Sequence, residues 1–258
     1  MSEASRQVLG FSDQVLRFLE RVEHRVAKSP WEREAAFQLR FEAYERIGRR
    51  IGFQKAGVLD ILYDPLFDDD PNGFTTMTFV DGELAGTVRV NVGFDERAVL
   101  PGLKVYADAI VPILRARRVI VEFTRLAAKL SISSLFPQLA YVVMRPAYMA
   151  AVHFDADFAI ASPRAEHIAF YRRTFGGTIW CTPRVYPGFT VKAACMGSNI
   201  RAVRSRIETR YPFYKSTPGE REALFGSPEG MPDSIEKAAT LTRYGTRLRL
   251  VAELSACA

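Results

Sequence analysis

The chain predicts an α/β fold, a mixed and largely antiparallel sheet flanked by helices, with extra helical segments at both ends. Three observations lead there. Strand-like and helix-like apolar periodicities alternate along the sequence. The stretch FTTMTFVDGELAGTVRVNV reads as two strands joined at Asp81-Gly82, the strongest short-range hairpin signal, so part of the sheet is antiparallel. With 48% apolar and 25% charged residues over 258 positions, the composition is that of an ordinary soluble globular protein able to bury a sizeable core.

Residues 1–20 read as a helical extension with Val8, Leu9, Phe11, Val15, Leu16, Phe18 and Leu19 as an apolar stripe. RVEHRVA then alternates Val22, His24 and Val26 with charged neighbours, the period of a strand. SPWEREAAFQLRFEAYERIG opens a helix: Ser29 caps it, Pro30 suits its first turn, and Ala36, Leu39, Tyr44 and Ile47 supply core contacts. FDDDPNG is a turn. Its carboxylates Asp68, Asp69 and Asp70 are expected to be solvated, the alternative being that one pairs with an arginine. After the hairpin comes a helical or irregular stretch, then RVIVEFTRLAA, a strand rich in branched residues. FPQLAYVVMRPAYMAAVHF suits a long buried helix that Pro146 should kink or split. ADFAIAS is an apolar strand, and TIWCTPRVYPGFTVKAACMG closes with two strand-like pieces around Pro183, Pro187 and Gly188. These elements delimit a domain over residues 21–199. Residues 200–258 form a C-terminal extension, expected to be helical and packed on the core, with an amphipathic helix from Asp233 to about Glu253.

The stretch SPRAEHIAFYRRTFGG has a readable start and stop. Ser162 can cap, Pro163 suits the first turn, and Gly176-Gly177 can end the helix. Spacings of three and four put Arg164, His167 and Tyr171 on one helical face. Taken alone, this favours a packing helix.

Charge and cysteine usage bound the function. A net charge of +6 favours acidic partners, yet the basic residues are scattered and no nucleic-acid motif accompanies them. Cys181, Cys195 and Cys257 show no metal spacing and leave an odd count, which fits a reduced compartment. The first residues lack a basic-then-apolar leader pattern, and the most apolar run is broken by Arg145 and Pro146 and too short for a bilayer. The expectation is a cytoplasmic protein with no metal, no tightly bound cofactor and no transmembrane segment.

The element order resembles the GNAT acyltransferase fold. More narrowly, FQLRFEAYER with Arg40, YDPLFDDDPN ending in Asn72, DGELAGTVRV with Arg89, VEFTRLAA with Glu122 and Arg125, and RAEHIAFYRRTFG together resemble the N-acyl amino acid synthases, relatives of the acyl-homoserine lactone autoinducer synthases. The resemblance spans about residues 20–198. It implies transfer of a fatty acyl group from an acyl carrier protein thioester to the α-amine of an amino acid. GNAT enzymes hold the coenzyme A pyrophosphate in a glycine-rich turn after the central strand. Here TRLAAKLSISSLFPQLAYV has no glycine, which favours a carrier protein bringing acyl-phosphopantetheine over coenzyme A.

Amide formation from a thioester needs a neutral amine, a place for charge on the tetrahedral oxygen and a stable leaving thiol. By the resemblance, Glu122 is the base, acting directly or through one water. The alternative is a solvent-facing residue paired with Arg125 or Arg118. Arg125 holds Glu122 or binds the acceptor carboxylate, for which a planar guanidinium is suited. Arg40 and Arg89 are acceptor clamps or structural ion pairs, the latter favoured. Tyr171 falls where the family's helix supplies a tyrosine near the leaving sulfur, and its loss should slow turnover without abolishing it. His167 faces the acceptor or makes an internal hydrogen bond. Arg164 lies at the helix N-terminus, which favours an anion. Arg172 and Arg173 face outward and can meet an acidic carrier protein, a solvated face being the default. The long apolar helix can wall an acyl pocket or simply pack. Two rivals remain: an autoinducer-type synthase using S-adenosylmethionine, and a catalytically silent module that binds acyl chains or a partner.

Overall fold

A computed structural model of the chain describes residues 10–51, 63–186 and 192–226. Helix α1 (Phe11–Leu19) leads to strand β1 (Val22–Val26) and helix α2 (Pro30–Ile51). A short helix α3 (Pro65–Asp68) precedes the hairpin of β2 (Gly73–Val80) and β3 (Glu83–Gly93). Helix α4 (Leu103–Arg115), strand β4 (Ile120–Ala128), helices α5 (Leu130–Leu135) and α6 (Leu139–His153) and strand β5 (Phe158–Ala161) follow. A 3-10 turn at Ala165–His167 opens α7 (Ile168–Phe175), which leads to strands β6 (Thr178–Val185) and β7 (Lys192–Asn199). Helix α8 (Ile200–Arg210), a 3-10 turn at Pro212–Tyr214 and helix α9 (Pro218–Phe225) complete the described chain. The expected helix from Asp233, and Pro187 and Gly188, lie outside the described residues.

Local chemistry explains the boundaries. Ser29 and Glu32 form a capping box at the start of α2: the Glu32 N–H donates to Ser29 Oγ at 3.3 Å, and the Glu32 carboxylate accepts the Ser29 N–H at 2.9 Å. Asp81 and Gly82 have φ of 49° and 80°, the positive values that a two-residue type I′ hairpin turn requires. The strands form one sheet in the order β1-β2-β3-β4-β5-β7-β6, with β4 and β5 parallel and the other neighbours antiparallel.

The sheet has two covered faces. Val88, Val90 and Val92 of β3 join the core built with α6, while the intervening Arg89 and Asn91 turn to the other face, toward α2 and α3. Helix α6 runs unbroken through Pro146, which does not split it as one of the two expected outcomes would have had it. Every residue from Val142 to Ala151 is buried, and that packing outweighs the roughly 3 kcal/mol a mid-helix proline costs.

Helix α7 also departs from expectation. Arg164 is the extended N-cap residue (φ −70°, ψ 161°), Ser162 makes no cap, and the first turn is 3-10. Arg164 therefore lies before the helix and does not share a helical face with His167 and Tyr171. The C-terminal stop is as expected, with Gly176 in the left-handed conformation.

The segment after β7 docks on α6 through Arg145. Its Nε donates to the Phe213 carbonyl at 2.8 Å, and its Nη2 donates to the Lys215 carbonyl at 2.9 Å and to Glu220 at 2.8 Å. Ile200, Ile207, Phe213, Tyr214, Leu224 and Phe225 join the α6 core. Among the described residues no helix is long and apolar enough to cross a membrane.

Candidate active site

The parallel pair β4–β5 is short. Ile120 to Phe123 pair with Phe158 to Ala161, after which β5 ends while β4 continues to Ala128. The remaining half of β4 has lost β5 as its neighbour, opening a gap at the carboxyl ends of two parallel strands, where open α/β sheets bind ligands. Glu122 stands at the root of this gap, opposite Asn91 on one side and Ile160 on the other.

Glu122 is fully buried, not solvent-facing, and Arg118 pairs with Asp157 instead. One carboxylate oxygen, Oε2, accepts the Gly102 N–H at 2.9 Å; Oε1 is buried and has no hydrogen-bond partner among the described residues. A Cβ at Gly102 would sit 2.8 Å from Ile110 Cδ1 and 3.0 Å from Oε1, so those side chains would have to shift to keep this contact. Burial pushes the Glu122 carboxyl up to about 7, against the Gly102 hydrogen bond and the nearby Arg89, which pull it down. Both protonation states are thus populated at neutral pH, the condition for a general base.

A buried ion cluster supports this centre. Asp68 accepts from Arg40 Nη1 at 2.8 Å through Oδ1 and from Arg89 Nη1 at 3.0 Å through Oδ2. Arg40 also reaches Thr75 Oγ1 at 3.0 Å, and Arg89 Nε reaches Thr124 Oγ1 at 3.0 Å. Burial would raise the Asp68 carboxyl, but the two guanidinium groups win and hold it at about 2. The three consecutive carboxylates are therefore no solvated turn. Asp69 pairs with Arg33 and Tyr63, and Asp70 accepts the Asn72 N–H at 3.1 Å. The cluster ties α2, α3, β2 and β3 together behind Glu122.

Arg125 lies at a break in the ladder. Thr87 pairs with Ala127 and Arg89 with Thr124, so Arg125 and Leu126 of β4 oppose Val88 alone. Arg125 has a φ of 55°, rare for a residue with a side chain and common where function stores strain. The bulge gives its guanidinium Arg89, Tyr44, Tyr186 and Asp68 as electrostatic neighbours, and burial lowers its pKa. Tyr186, just past β6, has Glu122, Arg125 and Arg89 as electrostatic neighbours, and its hydroxyl is raised first by burial and then by Glu122.

Comparison with known proteins gives the setting. The family described as N-acyl amino acid synthase FeeM matches residues 35–199. The chain belongs to that family. A solved structure of FeeM, an N-acyl amino acid synthase from uncultured soil microbes, is similar at 20% identity and a TM-score of 0.60, covering 75% of this chain and 98% of that one. Weaker likenesses are an acyl-CoA N-acyltransferase from Pseudomonas aeruginosa (18% identity, 69% and 97% coverage, TM-score 0.43) and the PaiA N-acetyltransferase of Thermoplasma acidophilum in complex with coenzyme A (10%, 69% and 98%, 0.46). A search among curated proteins returns no match. The fold is that of the solved FeeM synthase, and this member of the synthase family is an acyltransferase.

Within the synthase domain the remaining expected residues separate. Tyr171 on α7 has its hydroxyl raised by burial and then by Tyr44, which also neighbours Arg125. Tyr44 is thus an electrostatic neighbour of both Tyr171 and Arg125. His167 is exposed, 3.4 Å from Arg164, and Arg164 pairs with Glu166 at 3.0 Å. Burial and Arg164 lower the His167 pKa. Arg172 and Arg173 are exposed, and Arg173 donates to Tyr141 Oη at 3.2 Å at the start of α6. For Asp68 the disfavoured alternative, pairing with an arginine, is the one that holds, and sequence reasoning missed Gly102 and Tyr186. For Gly102 the Pro101-Gly102 turn signal was present; for Tyr186 no pattern marked it.

Proposed function

We propose that this synthase transfers a fatty acyl group from an acyl carrier protein thioester to the α-amine of an amino acid. The observation that carries the proposal is Glu122, buried at the root of the β4–β5 gap, with one oxygen unpartnered among the described residues and a pKa near 7. A free α-amine has a pKa of about 8, so a base of this strength suffices to deliver it neutral. Glu122 takes the proton directly or through one water. The amine then attacks the thioester carbonyl, forming the C–N bond and a tetrahedral oxyanion. The C–S bond breaks, and the thiolate takes a proton from Tyr171 or from water. Arg125 clamps the acceptor carboxylate with its two-pronged fork. Arg40 and Arg89 act from behind, through Asp68.

The connection after β4 supports the choice of donor. Residues 129–138 contain no glycine; they build helix α5, and the Lys129 N–H is already given to the Ala85 carbonyl at 2.8 Å. That supports a single phosphate arriving on a phosphopantetheine arm over the pyrophosphate of coenzyme A. The exposed Arg172 and Arg173 on α7, beside the start of α6, suit an acidic carrier in the cytoplasm.

Lipid extracts of cells overproducing the wild type and Glu122→Ala test the reaction. Mass spectrometry should find N-acyl amino acids with the wild type alone, and their fragments identify acceptor and chain length. Matching extracts from two folded proteins would overturn the proposal and favour a silent acyl-binding module.

A further inference from the structure

Strand β1 is an edge. Among the described residues it pairs with β2 alone, in unbroken register from Val22 opposite Val80 to Val26 opposite Thr76. Beside it lies a cavity of about 540 Å³, lined by all five strand residues together with side chains of α6 and α9. An open edge offers unpaired backbone groups to another strand, and proteins usually guard it with charged side chains, proline or a bulge. Within β1 there is no proline and no bulge, and its two exposed charges, Glu23 and Arg25, are of opposite sign.

What β1 carries is a self-complementary pattern. Glu23 and Arg25 are exposed, while Val22, His24 and Val26 are half-buried on the other face. Two copies paired antiparallel about His24 set Val22 opposite Val26, Glu23 opposite Arg25 and His24 opposite His24. Each charge then meets its opposite, and each end pairs valine with valine. In one copy Arg25 already holds Glu23 two residues away, Nη2 to Oε2 at 2.8 Å, with both side chains about half exposed. Exchanging that partner for the same group on another copy conserves the ion pair. Val22 and Val26 adjoin the cavity's apolar lining of Leu19, Met149 and Leu224. Trp31, 60% exposed, follows one end of β1, and Leu16, 39% exposed, precedes the other; antiparallel pairing brings these two ends together.

We infer that two copies of this chain associate through β1, strand to strand across a two-fold axis at His24, joining their sheets into one. The interface is isologous, as a closed dimer requires. It lies three strands away from β4, so the gap at Glu122 stays open.

Sedimentation velocity of the full chain tests this. The wild type should form a concentration-dependent dimer. Glu23→Arg sets arginine opposite arginine at both symmetric positions and should weaken the dimer roughly tenfold or more. The double exchange Glu23→Arg with Arg25→Glu restores complementary charges and should restore the dimer, a rescue that a misfolded variant would not give. A wild type that remains monomeric across micromolar concentrations overturns the inference. So does a dimer indifferent to Glu23→Arg, or a double variant that stays monomeric with a wild-type circular dichroism spectrum.

Discussion

At Glu122 the fold sets a carboxyl in apolar surroundings and gives it one backbone N–H, so its affinity for a proton rises. Because the folded pKa lies above the unfolded value, its contribution to stability is full below about pH 4.3 and is lost as pH rises toward 7. Glu122→Gln should therefore stabilise the protein by on the order of 3 kcal/mol near about pH 8 and leave it unchanged near about pH 4. Urea unfolding at the two pH values checks this. Activity should move the opposite way. In the wild type kcat/KM should climb with pH through an inflection near 7, and the glutamine variant should lose that inflection along with most of the rate. A variant that kept the inflection would assign it to the amine alone. The strand and its acid were legible in VEFTRLAA. Burial was not, because whether a strand residue faces solvent depends on which helices cover that face.

Among the elements, the Asp68 cluster joins α2, α3, β2 and β3. Removing the carboxylate leaves two buried guanidinium groups facing each other without their counter-ion. Asp68→Asn should cost about 3–5 kcal/mol, read as a lower urea midpoint at unchanged m. The sign with pH is fixed by a folded pKa of about 2, below the unfolded value of about 3.9. The contribution is full above about 3.9 and disappears as pH falls through about 2. Three adjacent aspartates read as a polar turn because sequence spacing cannot show that a strand arginine and a helix arginine arrive at the first of them. Pro146 misleads for a related reason: the local cost of a proline is legible, but the packing on every side of α6 that offsets it is not.

For the whole molecule, a net charge of +6 acquires meaning from where the charges sit. About half of the described arginines take part in internal or surface ion pairs, and Arg172 and Arg173 are among those exposed, on the helix that leaves β5. Replacing both with glutamate should raise KM for a donor carried on acyl carrier protein by on the order of tenfold, with kcat little changed. An acyl-pantetheine donor lacking the protein should be unaffected, and the contrast should shrink at high salt. Equal losses with both donors would move these arginines from docking to the site itself.

Periodicity and turn chemistry are local properties, so the order of strands and helices, the Asp81-Gly82 turn, the α2 cap and the Gly176 stop could all be read along the chain. The motif string from FQLRFEAYER to RAEHIAFYRRTFG pointed to the family for the same reason, being a set of short segments in fixed order. Side-chain environment is not local. The unpartnered oxygen of Glu122, the double pairing of Asp68, the strained Arg125 and the meeting of Tyr186 with Glu122 each require residues far apart in sequence to converge. Proton affinity and ion pairing depend on that convergence through burial and distance, and both quantities exist only once the sheet has closed around them.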